Sequence, residues 1–100
     1  MAKLKSFTEG VQAFQRGDFA LAVRRLAPLR GRKGLPGRLA TYYSAKSHRA
    51  IGVEQLQAGR YSEAGRHFRQ AVSLVGKSTD LAEYLQLVYA RTGDHERCVA

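Results

Sequence analysis

The residues of this chain with the most evident binding chemistry form a basic stretch in its first half. Residues 1–50 contain eleven Lys and Arg residues against two acids, whereas residues 51–100 contain six of each. No acid lies between Phe19 and Val53. The cations of that stretch are Arg24, Arg25, Arg30, Arg32, Lys33, Arg38, Lys46 and Arg49. Guanidinium and ammonium groups bind carboxylates and phosphates, so this charge asymmetry indicates an acidic partner.

Residue types that serve catalysis or metal binding are scattered along the chain. Gly76-Lys77-Ser78 is similar to the end of a phosphate-binding P-loop, but the first glycine of that motif would fall on Ala71. The histidines lie far apart and form no HExxH motif, and the single cysteine has no CxxC partner and no evident histidine partner. These residues are His48, His67, His95 and Cys98. The sequence therefore predicts a non-enzymatic protein with no metal site and no cofactor.

Three glycine turns divide the chain into the elements that must position these side chains. They are Gly17-Asp18-Phe19, Gly59-Arg60-Tyr61 and Gly93-Asp94-His95. The last two glycines are 34 residues apart and the first two are 42 apart. The longer interval holds a basic loop from Arg30 to Arg38, in which three glycines and a proline interrupt the helix. A period of 34 residues predicts stacked helix-turn-helix units.

Local patterns predict helices on both sides of each turn. After the second turn, apolar residues recur at a 3.6-residue period, which makes one apolar stripe at Ala64, Phe68, Ala71, Val72 and Val75. Cap signals occur at Ser6-x-x-Glu9, Asp80-x-x-Glu83, Asp18, Ser78 and Thr79. The expected helices are 6–16, 19–30, 37–58, 62–75, 79–92 and 95–100, and no stretch alternates like a strand.

The unit around Gly59 shows a family pattern. Ile51-Gly52 lies about seven residues before the turn glycine, and the matching positions after it are Tyr61, Ala64, Phe68 and Ala71. This arrangement resembles the tetratricopeptide repeat (TPR). The small residues let two antiparallel helices approach closely, while Ile51 and Phe68 fill the space between them. The structural alternative is a plain helical hairpin bundle with the same apolar spacing.

The resemblance implies an all-α fold of antiparallel helix-turn-helix repeats, stacked as a short right-handed superhelix. We expect one domain over 1–100, with repeats at about 3–35 and 37–76 and an incomplete repeat at about 78–100. Because the final helix is too short to cover the one before it, we expect a piece of a longer repeat protein or self-association through the C-terminal end.

In TPR proteins the first helix of each unit lines a concave surface that receives a peptide or helix of a partner protein, and a basic surface favours an acidic partner. The contacts that the resemblance implies here are Gln12, Arg16, Tyr42, Lys46, Arg49, Gln57, Glu83 and Gln86. One TPR subclass binds terminal carboxylates with paired asparagines and lysines. This chain contains no Asn, which argues against that mode.

The alternative partner is a polyanion, either RNA or DNA or an anionic surface. Its binding residues would form a basic patch of Arg24, Arg25, Arg30, Arg32, Lys33 and Arg38. No RRM, KH or zinc-finger signature accompanies this patch, and a solvated basic face gives the same pattern. The sequence has neither a signal-peptide core nor an apolar run that spans a membrane, and a single cysteine agrees with a reducing compartment, so we expect a cytoplasmic protein.

Overall fold

The computed structural model describes residues 2–93, with side chains from residue 5 onward, and this part of the chain is helical without strands. The helices are α1 (Ala2–Arg16), α2 (Phe19–Leu26), α3 (Leu35–Gln57), α4 (Tyr61–Val75) and α5 (Thr79–Thr92). The predicted all-α fold is therefore confirmed. The helix expected at 95–100 lies outside the described residues.

The turn glycines end their helices in the left-handed region of backbone conformation. The φ angles are +84° at Gly17, +80° at Gly59 and +78° at Gly93, where a side chain is strained. The first two turns share one hydrogen-bond pattern, with the Asp18 amide donating to the carbonyl of Ala13 and the Arg60 amide to that of Gln55, both at 2.8 Å. This is the Schellman arrangement that satisfies the last carbonyls of a helix.

Proline fixes where α2 ends and where α3 begins. Helix α2 stops at Leu26, four residues before the predicted end, and continues as a 3₁₀ turn over Ala27–Leu29. Pro28 has no amide hydrogen and its ring crowds the preceding helical turn, so the α-helix cannot continue through it. Helix α3 begins at Leu35, two residues earlier than predicted, because Pro36 is pre-set for a first helical turn.

The predicted capping box at Ser6-x-x-Glu9 is wrong. Helix α1 begins at Ala2, so Ser6 and Glu9 lie inside the helix. The Ser6 hydroxyl donates to the carbonyl of Arg25 at 2.5 Å, and the Glu9 carboxylate lies 3.4 Å from Arg25 Nε. Both side chains connect α1 to the C-terminal end of α2, where a free carbonyl and a cation are available.

The other cap candidates lie at helix starts. Asp18 caps α2 by accepting a hydrogen bond from the Leu21 amide at 3.3 Å. Ser78 is the N-cap of α5, and its hydroxyl accepts from the Leu81 amide at 3.4 Å. Asp80 therefore lies in the first turn of α5 and not at the cap, where its charge favours the positive end of the helix dipole.

Each helix packs on the next one along the chain, and the buried side chains form two core clusters. The first cluster joins α1, α2 and the start of α3; its buried members are Ala13, Ala22, Leu26, Leu29 and Ala40. The second joins α3, α4 and α5; its buried members are Ala45, Ala64, Phe68, Ala71, Leu81, Leu85, Val88 and Tyr89. The stack measures 47 × 26 × 17 Å, and its superhelical handedness stays a prediction.

Candidate partner-binding groove

A groove runs between α3, the C-terminal end of α4 and the N-terminal end of α5. We call it the α3–α5 groove. It encloses about 260 Å³ and is lined by Tyr42, Ala45, Lys46, Arg49, Ala71, Val75, Ser78, Asp80 and Leu81. Tyr42, Lys46 and Arg49 recur at a spacing of four and then three residues, so they share one face of α3. The structure thus brings these three predicted contact residues together.

An ion pair closes one wall of the groove. Arg49 Nε donates to Asp80 Oδ2 at 2.7 Å, and the Arg49 guanidinium lies 5.6 Å from the centre of the Tyr84 ring. Hydrogen bonds from the Ser78 hydroxyl and then from Arg49 lower the pKa of Asp80, since both stabilise the carboxylate form. This pair joins α3 to α5 across the end of α4.

The opposite part of the groove offers exposed apolar surface beside a free ammonium group. Tyr42 is 47% exposed and Val75 is 51% exposed. Lys46 Nζ lies 5.3 Å from the centre of the Tyr42 ring, and among the described residues it has no carboxylate partner. The lining charges of Lys46, Arg49 and Asp80 leave the groove with one net positive charge.

The other predicted contact residues do not line this groove. Gln57 is exposed at the C-terminal end of α3, eight residues or about 12 Å beyond Arg49 along the helix. Glu83 and Gln86 are exposed on α5, one and two turns beyond its lining residues. Gln12 and Arg16 are exposed on α1. The predicted surface therefore divides into a formed groove on α3 and separate exposed positions on three helices. The predicted self-association depends on 95–100, which lies outside the described residues.

The basic patch is divided between paired and unpaired cations. Arg25 lies within 3.4 Å of Glu9, and Arg30 is half-buried. The remaining four are exposed, with no carboxylate partner among the described residues: Arg24, Arg32, Lys33 and Arg38.

Gly37 fixes the loop, because a Cβ there would overlap the carbonyl of Arg32. A cavity of about 420 Å³ lies beneath the loop, lined by Phe7, Leu29, Arg32, Lys33, Leu35, Pro36 and Leu39.

Sequence reasoning missed a histidine pair. His48 on α3 and His67 on α4 were expected to lie far apart, yet their Nδ1 atoms are 3.0 Å apart. His48 is only 7% exposed. Burial, together with its neighbours His67 and Arg30, lowers the pKa of His48 to about 4. Burial and then Arg66 also lower the pKa of His67. The signal was present, since His48 lies eleven residues before Gly59 and His67 eight residues after it, and two antiparallel helices that meet at a turn bring residues on its two sides together.

Residues 2–93 hold no helix with the length and apolar character to cross a bilayer. The same part of the chain contains no group of three or more His, Cys, Asp and Glu residues arranged to hold a metal ion. Comparison with known proteins finds no matching family model, no matching curated protein and no matching solved structure.

Proposed function

We propose that this chain is a non-catalytic, TPR-type scaffold that binds an acidic segment of a partner protein in the α3–α5 groove. One observation carries the proposal: the groove places the exposed apolar surface of Tyr42 and Val75 beside the ammonium group of Lys46, which has no carboxylate partner in the described part of the chain. Soluble proteins rarely expose large apolar patches on their surface, and the larger patches are often binding sites. A single cysteine agrees with a reducing compartment, so we propose a cytoplasmic location.

The charges of the groove select the chemistry of the segment. Lys46 has no carboxylate partner among residues 5–93. Arg49 donates to Asp80 through Nε, and its Nη groups carry further N–H donors. A carboxylate between Lys46 and Arg49 would therefore gain two charge-assisted contacts. With a volume of about 260 Å³, the groove fits a short run of side chains, so we propose an acidic residue followed by an apolar one.

Recurring helix contacts support the TPR-type assignment. A Cβ on Gly10 would lie 2.5 Å from Leu26 Cγ, and one on Gly52 would lie 2.6 Å from Phe68 Cε1. The two glycines are 42 residues apart, as are their two partners and the turn glycines Gly17 and Gly59. The first two helix pairs therefore use the same close approach at equivalent positions. A plain bundle does not require such a repeat.

The test is fluorescence anisotropy with a labelled peptide that alternates Glu and Leu, beside a Gln-Leu peptide of the same length. Lys46→Glu reverses a charge inside the groove, and Lys33→Glu makes the same change outside it. We expect Lys46→Glu to weaken binding of the acidic peptide by about tenfold or more, and Lys33→Glu to weaken it much less. Equal losses in the two variants, or equal binding of the two peptides, would refute the proposal.

A second candidate is polyanion binding by the basic patch, and the observation that favours it is the exposure of Arg24, Arg32, Lys33 and Arg38 without carboxylate partners. The test is anisotropy of labelled single-stranded RNA and duplex DNA with the wild type and with Arg30→Glu, Arg32→Glu and Arg38→Glu combined. Phosphate contacts by these residues predict binding that falls with salt and is lost in the triple variant. Absence of binding by the wild type would exclude this candidate.

A further inference from the structure

We propose that the pocket beside the histidine pair binds a phosphate monoester or free phosphate dianion. We call it the histidine pocket. It encloses about 320 Å³ and is lined by His48, Arg66, His67, Arg69, Gln70 and Ser73. These residues supply two imidazoles, two guanidinium groups, an amide and a hydroxyl, and none of them is acidic. Such groups donate hydrogen bonds to phosphate oxygens.

The pocket is separate from the α3–α5 groove. Lys46 and His48 are two residues apart on α3, so their directions differ by about 160° around the helix axis. On α4, the other four lining residues share one face with His67, because Arg66, Arg69, Gln70 and Ser73 lie at intervals of three, one and three. Helix α4 therefore presents two guanidinium groups and the Gln70 amide next to the histidine pair, while the Ser73 hydroxyl donates to the carbonyl of Gln70 at 2.8 Å.

In the described part of the chain, the charge of the side chains that line this pocket is positive. Among residues 5–93, no carboxylate forms a salt bridge with Arg66 or Arg69. After burial, the positive charge of Arg30 lowers the pKa of His48, and that of Arg66 lowers the pKa of His67. The negative charge of Glu63 raises the pKa of His67. A dianion in the pocket would lower this concentration of positive charge, whereas a metal cation would be repelled by it.

The histidine pair can take up a proton when a ligand binds. A hydrogen bond between two Nδ1 atoms 3.0 Å apart requires one ring to donate and the other to accept. The accepting neutral ring then carries its proton on Nε2, where it is a donor. Burial, and after it the positive charge of Arg30 near His48 and of Arg66 near His67, disfavours the protonated form of both rings and lowers their pKa. A bound dianion would favour the protonated form, so binding should be accompanied by proton uptake.

The test is a titration of the full chain with inorganic phosphate and with phenyl phosphate, followed by NMR of the imidazole resonances. Gln70→Glu places a carboxylate in the pocket at an exposed position, and Gln15→Glu makes the same change on α1. We expect saturable shifts of the His48 and His67 resonances, and a loss of affinity of about tenfold or more in Gln70→Glu but not in Gln15→Glu. The two titrants distinguish free phosphate from a phosphate monoester as the preferred ligand.

Two double variants distinguish binding at the histidine pocket from binding by positive charge elsewhere on the surface. Arg66→Gln with Arg69→Gln removes two cations of the pocket, and Arg24→Gln with Arg32→Gln removes two exposed cations elsewhere. The proposal requires that only the first pair abolish the imidazole shifts. Non-saturable binding, or equal loss with both pairs, would overturn it. Calorimetry in buffers of different ionisation enthalpy supplies an independent readout, since binding without proton uptake would contradict the role of the histidine pair.

Discussion

Phe68 occupies the space that a side chain at position 52 would need, since a Cβ on Gly52 would lie 2.6 Å from Phe68 Cε1. Phe68 is fully buried, so its ring cannot move away into solvent. The contact between α3 and α4 therefore depends on a glycine that lies in the middle of a helix, where glycine is otherwise unfavourable.

We predict that Gly52→Ala destabilises the fold by about 1–3 kcal/mol, although alanine is the better helix former, because overpacking exceeds the gain in propensity. Urea denaturation measures the effect. Gly52→Ala combined with Phe68→Leu should lose less stability than the sum of the two single changes, because the smaller side chain leaves room for the new methyl group. Strict additivity would show that the two residues are not in contact.

The Arg49–Asp80 pair predicts a small effect on stability that depends on pH. Both side chains are nearly half exposed, so Asp80→Asn should cost less than about 1 kcal/mol at neutral pH. The pKa of Asp80 is lower in the folded chain, so the stabilisation is present above the unfolded value of 3.8 and is lost as the pH falls through the folded value. Denaturation at pH 7 and near pH 2 measures this difference.

Ser78→Ala is the companion change for that prediction, because the Ser78 hydroxyl contributes most to lowering the pKa of Asp80. Its removal should raise the carboxyl pKa measured by NMR titration. A pH-independent cost for Asp80→Asn would contradict the ionic origin of the effect. Asp80→Asn also removes the carboxylate that pairs with Arg49. We therefore expect this variant to bind the Glu-Leu peptide more tightly than the wild type does.

The histidine pair predicts loss of stability under mild acid. His48 has a pKa of about 4 in the folded chain against 6.5 as the unperturbed value, so the unfolded chain binds more protons between these values. Its contribution to stability is present above pH 6.5 and is lost as the pH falls toward 4. From the size of the shift, the loss is on the order of 3 kcal/mol.

Urea denaturation of the wild type and of His48→Gln at pH 7.5 and pH 4.5 tests this prediction. Glutamine does not titrate, so the variant should lose less stability than the wild type over the same interval. Both proteins carry the same carboxylates, so the contributions of those groups cancel in the comparison. If both proteins lost equal stability, His48 would not be the group that titrates.

Two buried serines on α3 predict opposite outcomes. Ser44 Oγ is fully buried and has no hydrogen-bond partner among the described residues, whereas Ser47 Oγ donates to the carbonyl of Tyr43 at 2.7 Å. An unpaired buried hydroxyl destabilises the folded state, so Ser44→Ala should raise the melting temperature. Ser47→Ala, the matched control, should lower it or leave it unchanged. A lower melting temperature for Ser44→Ala would contradict the assignment.

The fold was predictable because its signals act over a few residues. Gly17 and Gly59 require only their own turn geometry, and Asp18 requires only the amide three residues ahead. The Ser6-Glu9 box failed because its groups find partners on another helix. A local motif does not report such distant contacts, which depend on how two helices pack.

The candidate site was predictable to the same extent. Tyr42, Lys46 and Arg49 lie on one helix, so the helix period alone places them together. Gln12 and Glu83 lie on α1 and α5, and their distance from that face depends on the stacking of whole helices. The ion pair of Arg49 with Asp80 also crosses between helices. The sequence therefore identifies the residues of one face and not the partners that neighbouring helices bring to it.

Helix α3 contributes Ala40 to the first core cluster and Ala45 to the second, so the two halves of the molecule meet along a single helix. The α1–α2 pair can open without exposing Phe68, and α5 can detach without exposing Leu26. Unfolding should then occur in stages, with the central amides of α3 the last to exchange with deuterium. A partner held in the α3–α5 groove would delay exchange in the second half and leave that of α1 unchanged, which makes exchange a map of where binding occurs.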